Sequence, residues 1–568
     1  MVNKILSQKE KIVLLLIFLT QGLLFFTFYF REVYLYYPAS NWDQIGYYNN
    51  TFHVFEMLRD MRIVDALQAT PHVSVLPFLT TLSYFFFGVS KFNGIAIIFL
   101  SWIGMQWFLY RFLRKVWNPY FALAFLGLFL STVTYMQIAG GLTDFRTDIF
   151  ASAFYFIAMI AMIYSKQFTD ANGFNYFIIC LFIAIIARMN TVALFGGIII
   201  VYLIYLAFQR KFAPVKWIKS LKAPAWIIGG ASILYLILNL GEFLSYQIIG
   251  ALQRDANLEL QLYLQGLTLG VHFDFVFNAL LKYHLGTLFI VLIGISILLF
   301  CLFWGISVVK KTGSEINENN TVKESINIKD ALFISSLFTV IPYIIYSLWS
   351  FQSPVVQTMI VSPLIVCCAL LMKIAINKFV KRPQYFAKAL MSIFLIPGLL
   401  NFIAYTSVGE YPHGRRLRMY NQQINRAQNF NAFFQYANGH FKQLDMFEAD
   451  ILWYPKTGGD LVHMANMAYM EYGILFTYYN LLGDVNTELS EHRLFELMQR
   501  ADMIIVLYPV PMHLLPPFAV HNNAEKFIQI LKDFAENNFV YLKSFDTGQG
   551  GGLRMYAKPP TLHNAEGI

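Results

Sequence analysis

The stretch PHVSVLPFLTTLSYFFFG, residues 71–88, decides how this chain is threaded. The run from His72 to Gly88 is apolar enough to resemble a membrane crossing. It nevertheless starts after Pro71, carries Pro77 and ends in three phenylalanines and a glycine. Whether it crosses sets the side on which every later loop lies. The surrounding composition is that of a polytopic membrane protein. Of 568 residues, 57% are hydrophobic, 17% aromatic and 13% charged, against about 25% charged in a soluble domain. Mean hydropathy is +0.52. Disordered, collagen-like and disulfide-stapled chains are excluded. The net charge of +9 is spread over many loops, which argues against a nucleic-acid surface.

A helix needs about 20 apolar residues to cross the hydrocarbon core. Eleven runs qualify: 12–30, 93–111, 119–138, 148–165, 174–188, 191–208, 223–240, 286–308, 331–349, 357–376 and 389–406. The first is too long for a signal-peptide core and no small-residue cleavage site follows it, so it reads as a retained span. With a cytoplasmic N-terminus and 72–88 not crossing, 21 of the 29 basic residues before position 407 fall on the cytoplasmic side. The other eight are Arg31, Arg59, Arg62, Lys91, Arg146, Arg188, Arg254 and Lys282. A crossing at 72–88 would invert this distribution, against the positive-inside rule. The run is therefore read as a re-entrant or juxtamembrane segment, a backbone tolerated at membrane depth only when buried in protein or lining a cavity.

This threading leaves an external loop at 31–92, a short one at 139–147, another at 241–285, and an external tail at 407–568. The tail holds 13 basic and 16 acidic residues, whereas residues 1–406 hold 29 and 17. Helical patterns lie around 425–437 and 489–500. Ala501–Tyr508 reads as a buried strand, 523–537 as an amphipathic helix, and 539–545 with 553–558 as a hairpin about DTGQGGG. The stretch from His440 to Asp450 reads as solvated surface. The expected fold is thus an α-helical polytopic membrane protein. It has about eleven transmembrane helices plus a re-entrant or juxtamembrane segment, spanning residues 1–406, and a C-terminal extracytoplasmic α/β domain over 407–568. Cys180, Cys301, Cys367 and Cys368 all sit in apolar runs and lack metal-ligand spacing.

Candidate chemistry concentrates in the external loops. Asp43 follows Trp42 about a dozen residues beyond the first span, with Tyr47 one helical turn on. A carboxylate there suits proton acceptance or metal binding, and equally suits a helix N-cap. Loop 139–147 reads AGGLTDFRT and leads into Asp148. Arg146 can hold a phosphate in bidentate fashion, with Asp144 acting beside Asp43. It can also simply pair with its neighbours, an exposed arrangement worth about 0–1 kcal/mol. Arg188 either snorkels or lines a cavity. Lys282, Tyr283 and His284 either grip a lipid phosphate or anchor the interface. No nucleotide phosphate loop, dinucleotide fingerprint, zinc-protease helix or nucleophile elbow occurs. No cluster has metal spacing, although Asp43, Glu56 and Asp144 could meet in space and so leave a divalent metal open.

The layout resembles the membrane-embedded glycosyltransferases of the GT-C superfamily, closest to the protein O-mannosyltransferase-like, aminoarabinose-transferase-like and lipopolysaccharide-glycosyltransferase-like groups. Four features carry the resemblance: Asp43 in the first external loop, the Pro-containing segment 71–88, the basic turn RFLRK at 111–115, and the acid-bearing LTDFRTD at 142–148. It covers about residues 10–210 and is only architectural beyond. The chain departs from the common pattern in having Pro71-His72 with no second proline until Pro77, and a single acid at Asp43.

The resemblance implies sugar transfer from a polyprenyl-phosphate donor to a lipid, glycan or protein acceptor of the envelope, at the outer face of the cell membrane. Asp43 would be the base or acceptor-orienting group, and Asp144 or Asp148 the second-loop acid. Arg146, Arg188, Arg254 and Lys282 would be the cations near the leaving phosphate, and Tyr47 and His284 further substrate contacts. The competing reading is a polytopic lipid or glycan transporter or flippase. Against it, no inverted repeat or pair of broken helices stands out. The threading predicts that a topology reporter fused after Lys115 reads cytoplasmic; an external readout there would mean that 72–88 crosses.

Overall fold

The computed structural model describes residues 7–34, 42–68, 75–136, 140–238, 240–242, 269–309, 326–348, 358–380, 383–408, 432–433, 435–446, 448–454, 475–480, 491–508, 524–546 and 552–559. The chain divides into two compact units. One comprises Met1–Phe28 with Asn50–Pro412, the other Tyr29–Asn49 with His413–Ile568.

The first unit is helical. Its elements are α1 (Gln8–Phe28), most of α2 (Trp42–Arg59), α3 (Ile63–Gln68), α4 (Val75–Phe87), α5 (Lys91–Val116), α6 (Pro119–Leu130), α7 (Thr147–Tyr164), α8 (Ala171–Ala187), α9 (Thr191–Phe208), α10 (Pro214–Lys219), α11 (Ala223–Leu238), α12 (Leu269–Ala279), α13 (Gly286–Val309), α14 (Ile328–Leu348), α15 (Thr358–Phe379) and α16 (Pro383–Val408). Among the described residues, eight helical segments are long and apolar enough to cross a membrane. The chain is a multi-pass membrane protein, and each of the eleven apolar runs contains a helix.

Helix ends follow local chemistry. Ser7 and Glu10 form a reciprocal capping box at the start of α1, with Ser7 N–H on Glu10 Oε2 at 2.7 Å and Glu10 N–H on Ser7 Oγ at 3.3 Å. The side chains of Ser90, Asn118 and Asp170 accept N–H groups at the starts of α5, α6 and α8. The expected span 119–138 is shorter as a helix, because α6 stops at Leu130. There Ser131 Oγ donates to the Gly127 carbonyl at 2.9 Å and Thr132 Oγ1 to the Phe129 carbonyl at 2.7 Å. These hydroxyls satisfy acceptors that a longer helix would have used.

Segment 75–87 is a helix of 13 residues, about 20 Å long and so shorter than the roughly 30 Å hydrocarbon core. One face is tied inward: Thr81 Oγ1 donates to the Thr51 carbonyl at 3.0 Å, and Tyr84 stacks on Phe52. Phe86 and Phe87 face outward, 81% and 80% exposed.

Close packing uses small and polar residues, as expected where lipid removes the hydrophobic drive between helices. A Cβ on Gly127 would come within 2.3 Å of Leu395 Cα, and one on Gly398 within 2.1 Å of the Gly127 carbonyl oxygen, so the backbones of α6 and α16 touch. Gln21 and Gln106 exchange side-chain amide hydrogen bonds of 3.0 and 2.8 Å between α1 and α5. Arg114 grips both carboxylate oxygens of Glu10 at 2.8 Å.

The second unit holds a five-stranded mixed sheet: β1 (Glu448–Tyr454), β2 (Leu475–Asn480), β3 (Met503–Tyr508), β4 (Val540–Asp546) and β5 (Gly552–Ala557), in the order β2-β1-β3-β5-β4. β1 runs parallel to β2 and β3, whereas β5 is antiparallel to β3 and β4. Helices α17 (Glu491–Arg500) and α18 (Ala524–Asn538) cover it through Leu494, Met498, Leu531 and Ala535, against Leu452, Ile504 and Val506. The strand at 503–508, helix α18 and the final hairpin match the sequence reading. Within 440–450, Lys442, Gln443, Asp445 and Glu448 are exposed, in keeping with the solvated-surface reading, while Phe441 and Ala449 are buried; a helix covers 435–443 and Asp445 has φ 52°. Asp450 and Asp502 lock β1 to β3, the Asp450 N–H donating to Asp502 Oδ2 at 2.8 Å and the Asp502 N–H to the Asp450 carbonyl at 2.7 Å.

Gly398→Ala should force α6 and α16 apart at a cost of about 1–3 kcal/mol, lowering the unfolding temperature in detergent. Gly104→Ala, whose Cβ meets nothing within 4 Å, should leave it unchanged. Equal behaviour of the two variants would contradict this packing.

Candidate active site

Polar groups gather at the end of the helical unit where α7 begins and α8 ends. The loop entering α7 turns at Gly140, whose φ of +74° favours glycine. The Gly140 N–H donates to Asp144 Oδ2 at 2.6 Å, and the Leu142 N–H to the Tyr135 carbonyl at 2.9 Å. Arg146 Nε lies 2.9 Å from the same Asp144 oxygen. One residue into α7, Asp148 forms an ion pair with Arg188. Asp148 sits in the first turn of α7 and Arg188 at the C-cap of α8. Each ion therefore complements the partial charge of its own helix end before the two pair.

These are buried pairs, not the exposed ones weighed from sequence. The Asp144 and Asp148 side chains are 0% and 3% exposed, and those of Arg146 and Arg188 12% and 20%. In such surroundings, losing one partner strands a charge. The loop is also wedged against the bundle. A Cβ on Gly94 of α5 would lie 2.1 Å from the Phe145 ring, so only glycine admits that ring.

Around the loop, hydroxyls tie together elements far apart in sequence. Tyr135 OH lies 2.5 Å from Ser362 Oγ, and Ser152 Oγ 2.9 Å from Thr358 Oγ1. The Thr134 hydroxyl lies 2.9 Å from His284 Nδ1 and donates to the His284 carbonyl at 3.0 Å. His284 closes a π-helical turn over Leu280–Leu285. The next residue, Gly286, has φ +75° and presses on Val133. Asn401 donates to the Leu130 carbonyl at 3.0 Å. Sequence reasoning missed this hydroxyl layer. Its signal was the recurrence of Thr, Tyr and Ser near the ends of apolar runs.

The structure thus brings together Asp144 with Arg146, and Asp148 with Arg188. His284 is fully buried against 131–136. Lys282 is exposed beside Tyr283, its ammonium 5.4 Å from the ring centroid. Asp43 is the second residue of α2, its side chain outside the described residues, and Tyr47 is half-buried in the same helix. Arg254 lies outside the described residues. Among the described residues no group of three or more His, Cys, Asp or Glu side chains gathers as metal ligands.

Neither a protein-family profile nor a curated protein matches this sequence. The fold, however, is similar to that of ArnT from Cupriavidus metallidurans in the apo state. That match has a TM-score of 0.57 and 9% identity, over 96% of this chain and 98% of that one. The same protein bound to undecaprenyl phosphate gives a TM-score of 0.52 and 10% identity, over 97% and 98%. The chain shares the fold of that protein, and the likeness extends along nearly its whole length, beyond residues 10–210 where the sequence resemblance lay.

Asp148→Asn should leave the Arg188 guanidinium buried without its counter-charge and destabilise the protein by up to about 3 kcal/mol, read as a lower unfolding temperature in detergent. Adding Arg188→Gln should recover much of that loss. Additive losses would show that the two side chains do not act as a pair.

Proposed function

We propose that this chain is an integral membrane glycosyltransferase that moves a sugar from a polyprenyl-phosphate donor to an envelope acceptor at the outer face of the cell membrane. The observation that supports this most is the likeness in fold, along nearly the whole chain, to a protein whose structure holds undecaprenyl phosphate. The buried acid–arginine loop adds to it. Residues 1–406 form the transmembrane domain, with a cytoplasmic N-terminus and a long first external loop at 31–92. Residues 407–568 form an extracytoplasmic domain that handles the acceptor.

In the reaction, an acceptor hydroxyl or amine attacks the anomeric carbon. The bond from that carbon to the donor phosphate oxygen breaks with oxocarbenium character. The polyprenyl phosphate leaves with the bonding electrons, and Asp43 takes the acceptor proton. A guanidinium carries five N–H donors, more than one carboxylate takes up. Arg146 and Arg188, held in place by Asp144 and Asp148, are therefore suited to meet the growing charge on the leaving phosphate while remaining paired. Tyr47, Arg254 and Lys282 are further donor contacts, and His284 sets the position of the turn at 131–136. No nucleotide enters the chemistry, because the donor already carries the activated sugar.

Asp43→Asn should abolish transfer while leaving membrane expression and the unfolding temperature intact, measured with radiolabelled lipid-linked sugar in proteoliposomes. Near wild-type turnover in that variant would remove Asp43 from the mechanism.

A further inference from the structure

A second feature lies at the opposite end of the same helices. An apolar groove of about 630 Å³ runs between α5, α7 and α8, floored by Ile97, Gly104, Ile157 and Cys180 and ending at Arg111 and Tyr164. Its volume falls in the range of small-molecule sites, about 300–1,000 Å³. From Ile97 to Arg111 along α5 is about 21 Å, somewhat more than the roughly 15 Å depth of one hydrocarbon leaflet. The loop acids stand at the start of α7 and the groove mouth at its end, about 27 Å away along an 18-residue helix.

The mouth is cationic. Arg111, Lys115 and Lys166 are exposed there, near enough for Lys115 to feel the other two. The Lys115 ammonium sits 4.5 Å from the centroid of the Tyr164 ring. The acid facing this cluster is Asp170, whose Oδ2 accepts the Gly173 N–H at 3.0 Å as the cap of α8. Among the described residues, three cations thus face one carboxylate over an apolar slot about 21 Å long. A long isoprenoid would run out of the slot, whereas an acyl chain ends within it.

We propose that this groove binds an anionic phospholipid of the leaflet at the basic helix ends, with its phosphate between Arg111 and Lys115 and an acyl chain lying along α5 toward Ile97. The site is separate from the transfer chemistry and does not depend on it. A bound lipid would fill the gap between α5 and α8 and brace the helix that carries Arg188 at its far end.

The test uses the full chain in phosphatidylcholine bilayers containing photoactivatable phosphatidylglycerol. Crosslinks should map to α5, α7 and α8. Arg111→Gln and Lys115→Gln should each lower the yield about five-fold, the contribution of one basic residue near a charged membrane surface. Gly104→Leu, which fills open space in the groove without changing charge, should lower it comparably. Lys216→Gln with Lys219→Gln, exposed elsewhere on the basic end, should leave it unchanged. Yields insensitive to Gly104→Leu would reduce the effect to surface charge and overturn the proposal. So would displacement by undecaprenyl phosphate at far lower mole fraction than by unlabelled phosphatidylglycerol, which would make the groove a polyprenyl site. Variants are compared only where they elute as monodisperse protein, so a folding failure is not scored as lost binding.

Discussion

Charge cannot be left alone in a medium that does not solvate it, and the helical unit is organised around that constraint. Asp148 and Arg188 are the clearest case. Each occupies a helix end of complementary polarity, and each neutralises the other at a point where α7 starts and α8 stops. Asp144 and Arg146 repeat the arrangement a few residues earlier. The loop is rigid because two carboxylates, a glycine N–H and the Phe145 ring over Gly94 all fix it. In the proposed transfer, this fixed pair of guanidinium groups would meet the leaving phosphate with donors already in place, needing no reorganisation as charge develops.

The fold was largely legible because its main elements follow simple periodicities. Apolar runs near the thickness of the bilayer produced helices in all eleven places. The alternation at 539–545 and 553–558 produced the antiparallel pair β4–β5. The two missed strands explain themselves physically. β1 opens with two acids in its first three residues, Glu448 and Asp450, which hides the strand pattern, and the Asp450 backbone N–H donates to Asp502. β2, LFTYYN, is too short and mixed for either period to dominate. The end of α6 was misjudged because hydropathy does not register that Ser131 and Thr132 satisfy the last carbonyls themselves.

The site was less legible than the fold. Acid and arginine in LTDFRTD could be picked out as chemistry, but spacing does not say which acid an arginine takes. Arg188 lies 40 positions from Asp148, and only the antiparallel meeting of α7 and α8 joins them. The hydroxyl contacts among Tyr135, Ser362, Ser152 and Thr358 are longer-range still, and each residue looks like an ordinary member of an apolar helix. A lone Asp43 and a single proline before His72 depart from the pattern that the resemblance implies, while the fold is shared along nearly the whole chain.

Transfer and transport make opposite statements about one bond. The most direct measurement follows the sugar–phosphate linkage of radiolabelled undecaprenyl-phosphate sugars in liposomes containing only the purified protein and a lipid, glycan or peptide acceptor. The account predicts free undecaprenyl phosphate appearing in step with labelled acceptor, without added nucleotide. Movement of the label between leaflets with its linkage intact, and no labelled acceptor, would contradict it.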